Sequence, residues 1–148
     1  MHDRHQTLLS FDYGAKRIGV AVGQTLSATS EALETIRVHR ERPDWKAIAR
    51  LVRAWEPNAF VVGMPSSNSL GKPNELAPIV ARFMRQLGGR FELPVYSIDE
   101  RLSTHAASGR GEKQPGGLDA GAAKIILETW LHANHNSSPG GFKNENYA

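Results

Sequence analysis

Three acidic residues stand where the sequence pattern predicts that strands end or a helix begins. Asp12 follows the apolar run of the first predicted strand, Glu100 comes after the run LPVYSI, and Asp119 precedes the stripe of the last predicted helix. Strands usually end in turn formers such as Gly, Asn or Pro, so carboxylates at two strand ends stand out. Converging carboxylates repel one another unless they share a proton or bind a cation. The three acids are therefore a candidate metal site.

The chemistry that such a site supports is phosphodiester hydrolysis. All-oxygen ligands suit Mg²⁺ or Mn²⁺, and the chain has no cysteine that would favour a softer metal. Two such ions about 4 Å apart can activate a water for attack on phosphorus and stabilise the leaving oxygen. We therefore expect two ions at the acids.

Each acid also has a purely structural explanation, and the residues alone leave both readings open. Asp12 lies in FDYG, where an aspartate commonly forms a turn. Asp99 and Glu100 are acids that solvent accommodates, with Arg101 as a surface ion-pair partner. Asp119 immediately precedes a helical stripe, where aspartate is a favoured N-cap.

Residues of types that hold phosphates stand beside the acids. Gly14 permits close approach of the backbone to a ligand, and Lys16 and Arg17 follow it at the same turn. Behind the second acidic run, the candidates for contact with a phosphodiester backbone are Arg101, Ser103 and Thr104. The alternative roles are a hairpin turn for the first group and a helix cap for the second.

Hydrophobic periodicity predicts the elements that position these residues. Strands are predicted at 6–11, 17–23, 31–38, 59–63 and 93–98, the first three as an antiparallel meander. Helical stripes are predicted at 45–55, at 76–87 with Gly88-Gly89 as its end, and at 123–131 behind Asp119. This order predicts an α/β fold with a mixed five-stranded sheet and helices on its faces. Ligands bind such sheets at the carboxyl ends of parallel strands, the ends that carry Asp12 and Glu100.

Composition limits the class of protein. At 148 residues with 40% hydrophobic residues, the chain suits one domain, which we expect at 1–134, and the polar residues 135–148 are predicted to be a disordered tail. The lack of cysteine, of a signal peptide and of a membrane-length apolar run predicts a cytoplasmic protein. The net charge of +3 permits a nucleic acid partner, although a solvated basic face explains it equally well.

The motifs resemble those of the YqgF (RuvX) family of bacterial proteins. The matching stretches, in order, are LLSFDYGAKRIGVAVG, VVGMP, IDERLST and LDAGAAKIILETWL, and they extend from Leu8 to Leu131. The resemblance implies an RNase H-like fold related to the RuvC resolvases. It also implies a nuclease that processes the 5′ end of precursor 16S rRNA, with nucleic acid and ribosomal particles as partners.

Carried over by position, the resemblance makes Asp12, Glu100 and Asp119 the catalytic, metal-binding acids, with Asp99 ranked below Glu100. The chain departs from the family in two places. The segment AASGRGEKQPGGLD is shorter than its counterpart in the family and rich in Gly and Pro, and Ala120 stands where the family favours serine. Both departures affect the placement of Asp119 and the grip on a substrate.

Other functions are compatible with the same residues. A Holliday junction resolvase would use the same chemistry on branched DNA and would be a symmetric dimer, whereas we expect a monomer or a weak homodimer. A non-catalytic RNA-binding factor in ribosome assembly would keep the scaffold without the chemistry. An actin-like ATPase is disfavoured because such proteins use two domains around the nucleotide, and this chain has room for one.

Overall fold

The computed structural model describes residues 6–65, 74–100 and 118–135. Its strands are β1 (Thr7–Tyr13), β2 (Arg17–Gln24), β3 (Thr29–His39), β4 (Arg42–Pro43), β5 (Ala59–Met64) and β6 (Val95–Asp99). Its helices are α1 (Trp45–Trp55), α2 (Ala77–Phe91) and α3 (Leu118–His135). None of these helices is long and apolar enough to cross a membrane.

The strands form one mixed sheet in the order β4-β3-β2-β1-β5-β6. The strands β1 to β4 pair antiparallel in succession, and β5 and β6 run parallel to β1. The predicted α/β architecture is thus confirmed, but the predicted count of five strands is one too low. The additional strand is Arg42–Pro43, which is too short to show any periodicity in the sequence.

The face of the sheet that α1 and α2 cover holds an aromatic core. Leu9, Phe11 and Tyr13 of β1 are buried in it. The ring of Phe83, from α2, lies 5.5 Å from that of Phe11 and 5.0 Å from that of Tyr13. Burying one large apolar side chain contributes roughly 1.5–3 kcal/mol, so this cluster is a main source of stability.

The opposite face is covered by α3. Leu8 of β1 is buried there together with Val61, Tyr96, Leu127 and Trp130. The residue types on this face of β1 are more polar, since Ser10 and Asp12 follow Leu8 at the two-residue period of a strand. The face beneath α3 is therefore the one that carries Asp12.

The ends of the helices follow the sequence signals only in part. The Asp44 side chain accepts a hydrogen bond from the Ala47 N–H at 3.2 Å and so caps α1, and Pro78 lies in the first turn of α2, as predicted. The prediction that Gly88-Gly89 ends α2 is wrong, because the helix continues to Phe91. Glu92 adopts the left-handed conformation that ends it, and its N–H donates to the Gly88 carbonyl.

Candidate active site

Asp12 and Glu100 meet at the edge of the sheet where β1 and β6 end. Asp12 is the penultimate residue of β1, and Glu100 directly follows β6, which lies two strands away in the same parallel direction. Their side chains are joined by a hydrogen bond. Two acids that are 88 positions apart in the sequence are thus brought into contact by strand order alone.

The surroundings of Asp12 favour its protonated form. Burial, the hydrogen bond with Glu100 and the negative charges of Glu100 and Asp119 raise the pKa of Asp12 from 3.8 to about 8. The hydrogen bond raises the pKa because it requires a proton between the two carboxyl groups. At neutral pH a proton therefore relieves the repulsion between the two acids, which is a role that a cation can also fill.

Asp119 lies in the first turn of α3, and its carboxylate is engaged by Arg17. The Nε of Arg17 donates to Oδ2 of Asp119 at 2.8 Å. The two side chains are 61% and 36% exposed, so solvent screens the pair and it contributes little to stability. Asp119 is thus near enough for its charge to act on Asp12, while Arg17 binds one of its carboxylate oxygens.

Gly19 determines how close α3 comes to the sheet. It pairs with Asp12 in the antiparallel register of β1 and β2. A Cβ atom at this position would collide with the backbone carbonyl of Asp119. Only glycine lets the first turn of α3 rest directly on β2, and this contact holds Asp119 beside Asp12.

Gly63 lies on the other side of β1, where the side chains of Ile126 and Glu100 approach it. A Cβ atom there would lie 2.5 Å from Cδ1 of Ile126 and 3.1 Å from Cγ of Glu100. The site is anchored between these glycines by Ser10, whose buried hydroxyl donates to the Ala123 carbonyl at 2.8 Å. Sequence patterns did not identify Gly19, Gly63 or Ser10, because their importance depends on the position of α3.

Strand alternation separates Asp99 from Glu100. Tyr96 and Ile98 of β6 lie in the core beneath α3, whereas Val95 lies in the aromatic core on the other face. By the same alternation Asp99 belongs to the face of Val95, and Glu100 contacts Gly63 on the side of Ile126. The two neighbouring acids thus belong to opposite faces of the sheet.

The other predicted site residues have different positions. The Gly14 N–H donates to the Arg17 carbonyl at 2.8 Å, so this residue closes the β1–β2 turn. The Lys16 side chain is exposed at that turn, and its carbonyl accepts from the Val38 N–H. The three predicted contacts that lie outside the described residues are Arg101, Ser103 and Thr104.

The carboxylates of Asp12 and Glu100 form a pair of oxygen ligands that suits a hard cation, and a third acid, Asp119, lies nearby. Within residues 6–65, 74–100 and 118–135, no three Asp, Glu, His or Cys side chains are gathered as ready ligands. Magnesium, however, commonly binds through one or two protein carboxylates plus water and substrate oxygens. Asp12 and Glu100 satisfy that requirement, and Asp119 would join them on leaving Arg17.

Sequence comparison identifies relatives over nearly the whole chain. A family model described as "RuvX: Holliday junction resolvase" matches residues 6–133. A protein of Pseudomonas putida named "Putative pre-16S rRNA nuclease" is 43% identical over 135 residues, which cover 86% of this chain and 95% of the relative. A protein of the same name from Pseudomonas paraeruginosa is 42% identical over 136 residues, covering 87% and 94%.

Structural comparison identifies the fold. The RuvC of Thermus thermophilus in complex with a Holliday junction substrate superimposes with a TM-score of 0.59 at 17% identity, covering 88% of this chain and 96% of that one. Another Thermus thermophilus RuvC structure gives 0.52 at 17% identity, with coverages of 86% and 95%. RuvC has an RNase H-like fold, and the predicted fold class is thereby confirmed. From its sequence the chain belongs to the RuvX family.

Proposed function

We propose that this chain is a divalent-metal-dependent endonuclease that hydrolyses phosphodiester bonds in the 5′-end maturation of precursor 16S rRNA. The observation that carries the proposal is the contact between Asp12 and Glu100, with Asp119 close by, at the carboxyl edge of parallel strands. Relatives at 42–43% identity carry the name of a pre-16S rRNA nuclease, which supports the choice of substrate.

Asp12 and Glu100 would hold Mg²⁺ or Mn²⁺, and Asp119 would complete the site, with two ions as the full complement. A bound cation of this kind supplies Lewis acidity, which activates a water and stabilises the leaving oxygen. Before the metal binds, the Asp12–Glu100 pair must lose the proton that joins the two carboxyl groups. Asp119 must leave Arg17, whose guanidinium then becomes available to a phosphate oxygen of the substrate.

The residues at the β1–β2 turn would position the substrate. Lys16 and Arg17 are exposed next to the carboxylates, and both are suited to neutralising a phosphodiester backbone. On the side of Glu100 we assign the same role to Arg101, Ser103 and Thr104. The family match over residues 6–133 supports one nuclease domain, with the last residues of the chain as a separate tail.

The test is cleavage of a precursor 16S rRNA fragment by purified protein in Mg²⁺ and in EDTA. Asp12→Asn and Glu100→Gln should each lose roughly a thousandfold in rate, since a metal ion supplies several kcal/mol of transition-state stabilisation. Asp99→Asn is the matched control, because this neighbouring acid belongs to the other face, and it should retain most of the activity. Equal cleavage by wild type and Asp12→Asn would refute the proposal.

A second candidate is a Holliday junction resolvase, which the description of the matching family favours. Such an enzyme would present two active sites as a symmetric dimer. Competition between a four-way DNA junction and the rRNA fragment for the same preparation distinguishes the substrates. Preference for the junction together with a dimer in analytical ultracentrifugation would favour the resolvase.

A further inference from the structure

A groove of about 520 Å³ lies on the opposite side of the molecule's sheet from the carboxylates, between the β3–β4 hairpin and α2. We call it the arginine groove and define it by the residues Arg40, Glu41, Arg42, Trp45, Arg82 and Arg90. Four of these six side chains are guanidinium groups, and one is a carboxylate. Like charges held together are unfavourable unless an anion neutralises them.

The hairpin that forms one wall is strained at the residues that provide the charges. Arg40 and Glu41 are the two central residues of the tight turn between His39 and Arg42, and their φ angles are 52° and 63°. Positive φ at both positions is usually supplied by Asn or Gly, and other residues pay roughly 1–2 kcal/mol each. The turn holds both charged side chains at its tip, beside the groove.

The opposite wall holds two arginines in fixed orientations. The guanidinium of Arg90 lies over the Trp45 ring, 4.2 Å from its centroid, and that ring stacks on Phe83 at 5.5 Å. Arg82 is ion-paired with Glu41 at 3.1 Å, a contact that also joins the two walls. A stacked guanidinium keeps its N–H edge open, and little conformational freedom remains to be lost when it binds a phosphate.

The remaining two arginines have no such partner. In the part of the chain that the structure describes, neither Arg40 nor Arg42 has a carboxylate within ion-pair distance. Both are exposed at the hairpin. The balance within the groove is therefore four positive charges against one negative, which suits a polyanionic ligand.

The arginine groove opens at the same sheet edge as the carboxylates. The strand β3 runs in the direction of β1, since both are antiparallel to β2, so the β3–β4 turn lies at the edge where Asp12 stands. Tyr13, which follows Asp12 in β1, lies between the carboxylates and the arginine groove. Its ring lies 5.0 Å from that of Phe83, the residue that follows Arg82 in α2.

The geometry points to the arginine groove as a second nucleic acid contact, which binds the phosphodiester backbone of the strand that flanks the cleaved bond. A strand whose cleaved phosphate lies at Asp12 and Glu100 would pass around the sheet edge at Tyr13 and enter the groove. This inference rests on the proposed nuclease function, since that function supplies the ligand. The recognition is of phosphates rather than bases, so RNA and DNA strands of the same sequence should both bind.

The test measures binding of a short fluorescein-labelled single-stranded RNA in EDTA, where no cleavage occurs, over a series of salt concentrations. The double variant Arg40→Gln/Arg42→Gln should bind roughly tenfold more weakly, and the slope of log affinity against log salt should fall by about 1.4, or about 0.7 per lost phosphate contact. The control Lys46→Gln/Arg53→Gln removes the same charge from exposed positions of α1 outside the groove. It should leave the slope unchanged.

A variant that binds RNA more tightly than the wild type provides a second test, because misfolding would not raise the affinity. Glu41→Gln removes the single carboxylate of the groove and releases Arg82, so it should tighten RNA binding and steepen the salt dependence. The proposal that the groove binds RNA would be refuted if the double variant kept the wild-type affinity and slope. It would also be refuted if the wild-type protein showed no salt-dependent binding. RNA binding through the groove without cleavage in Mg²⁺ would instead refute the nuclease and leave the groove intact. Binding of the RNA but not of a DNA strand of the same sequence would overturn the assignment to the phosphodiester backbone.

Discussion

The two faces of the sheet are built from different kinds of residue, although β1 contributes alternate side chains to both. Beneath α1 and α2 the contacts are made by large rings, such as those of Phe11 and Phe83. Beneath α3, small residues let a helix backbone rest on the strands at Gly19, and a buried hydroxyl joins the two at Ser10. The face beneath α1 and α2 is packed with large side chains, whereas the face beneath α3 brings the main chains of helix and strand close together.

This difference separates stability from chemistry within one small domain. The aromatic face gains the apolar burial that holds the fold together. The α3 face gives up side-chain volume and places Asp12 against Glu100, an arrangement that is unfavourable whenever both are charged. Packing on the first face should therefore support the fold at every pH, whereas the second face should govern the site and affect stability through the protonation of its acids.

The largest expected effect is the pH dependence of the metal-free protein. The pKa of Asp12 is about 8 when folded and 3.8 as a free carboxyl, so the folded state holds a proton that the unfolded state has lost between these values. The free energy of unfolding therefore falls by up to several kcal/mol as pH rises from about 4 to about 8. In urea denaturation, the free energy of unfolding of Asp12→Asn should increase relative to that of the wild type as pH rises from about 4 to about 8. A constant difference would contradict the shifted pKa.

Removing a ring from the aromatic face should cost nearly as much. Phe83→Ala leaves a cavity among Phe11, Tyr13 and Trp45 and is expected to lower the free energy of unfolding by about 3–5 kcal/mol. Trp55→Ala is the matched control, because that ring is 38% exposed at the end of α1. Similar losses for the two variants, measured by urea denaturation, would show that the aromatic face has no special weight.

Adding a methyl group at Gly19, beneath α3, should reduce cleavage more than it reduces stability. Gly19→Ala pushes the first turn of α3 away from β2, at a cost of about 1–3 kcal/mol, and moves Asp119 from Asp12. Cleavage should fall further than the loss of folded protein explains. Gly89→Ala, in an open position of α2, should instead stabilise by about 0.5–1 kcal/mol and cleave normally. Unchanged cleavage by Gly19→Ala would contradict the role of this contact.

The smallest expected change is at the exposed ion pair. Arg17→Gln should alter the free energy of unfolding by less than about 1 kcal/mol, because solvent screens its contact with Asp119. Arg50→Gln, which loses the exposed pair with Glu34, should behave alike in thermal denaturation. A much larger loss for Arg17→Gln would mean that this pair holds α3 in place.

The sequence was sufficient to predict five of the six strands and the contact of two of the acids. Period-two runs mark β1 and β2, and carboxylates at the ends of β1 and β6 must share an edge if those strands are parallel. Asp119 was harder to predict, because a capping role explained it as well as a ligand role did. Its ion pair with Arg17 spans 102 positions and depends on how α3 docks, which no local pattern encodes.

Other features could not be predicted for identifiable physical reasons. The Gly88-Gly89 signal for a helix end was outweighed by packing, since Leu87 and Gly88 are buried and Glu92 takes the left-handed position instead. The arginine groove combines a two-residue strand with residues of α2 that lie 40 positions away, so its charges are dispersed in the sequence. Spatial clusters of this kind emerge only when the elements are packed.

The most direct test of Asp12 as a metal ligand is calorimetric titration with Mn²⁺ in buffers of different ionisation enthalpy. Because Asp12 is protonated at neutral pH and a ligand carboxylate must be ionised, binding at pH 7 should release close to one proton, and almost none at pH 9. Asp12→Asn should bind far more weakly and release no proton. Mn²⁺ binding without proton release, or equal binding by Asp12→Asn, would contradict a metal site at Asp12 and Glu100.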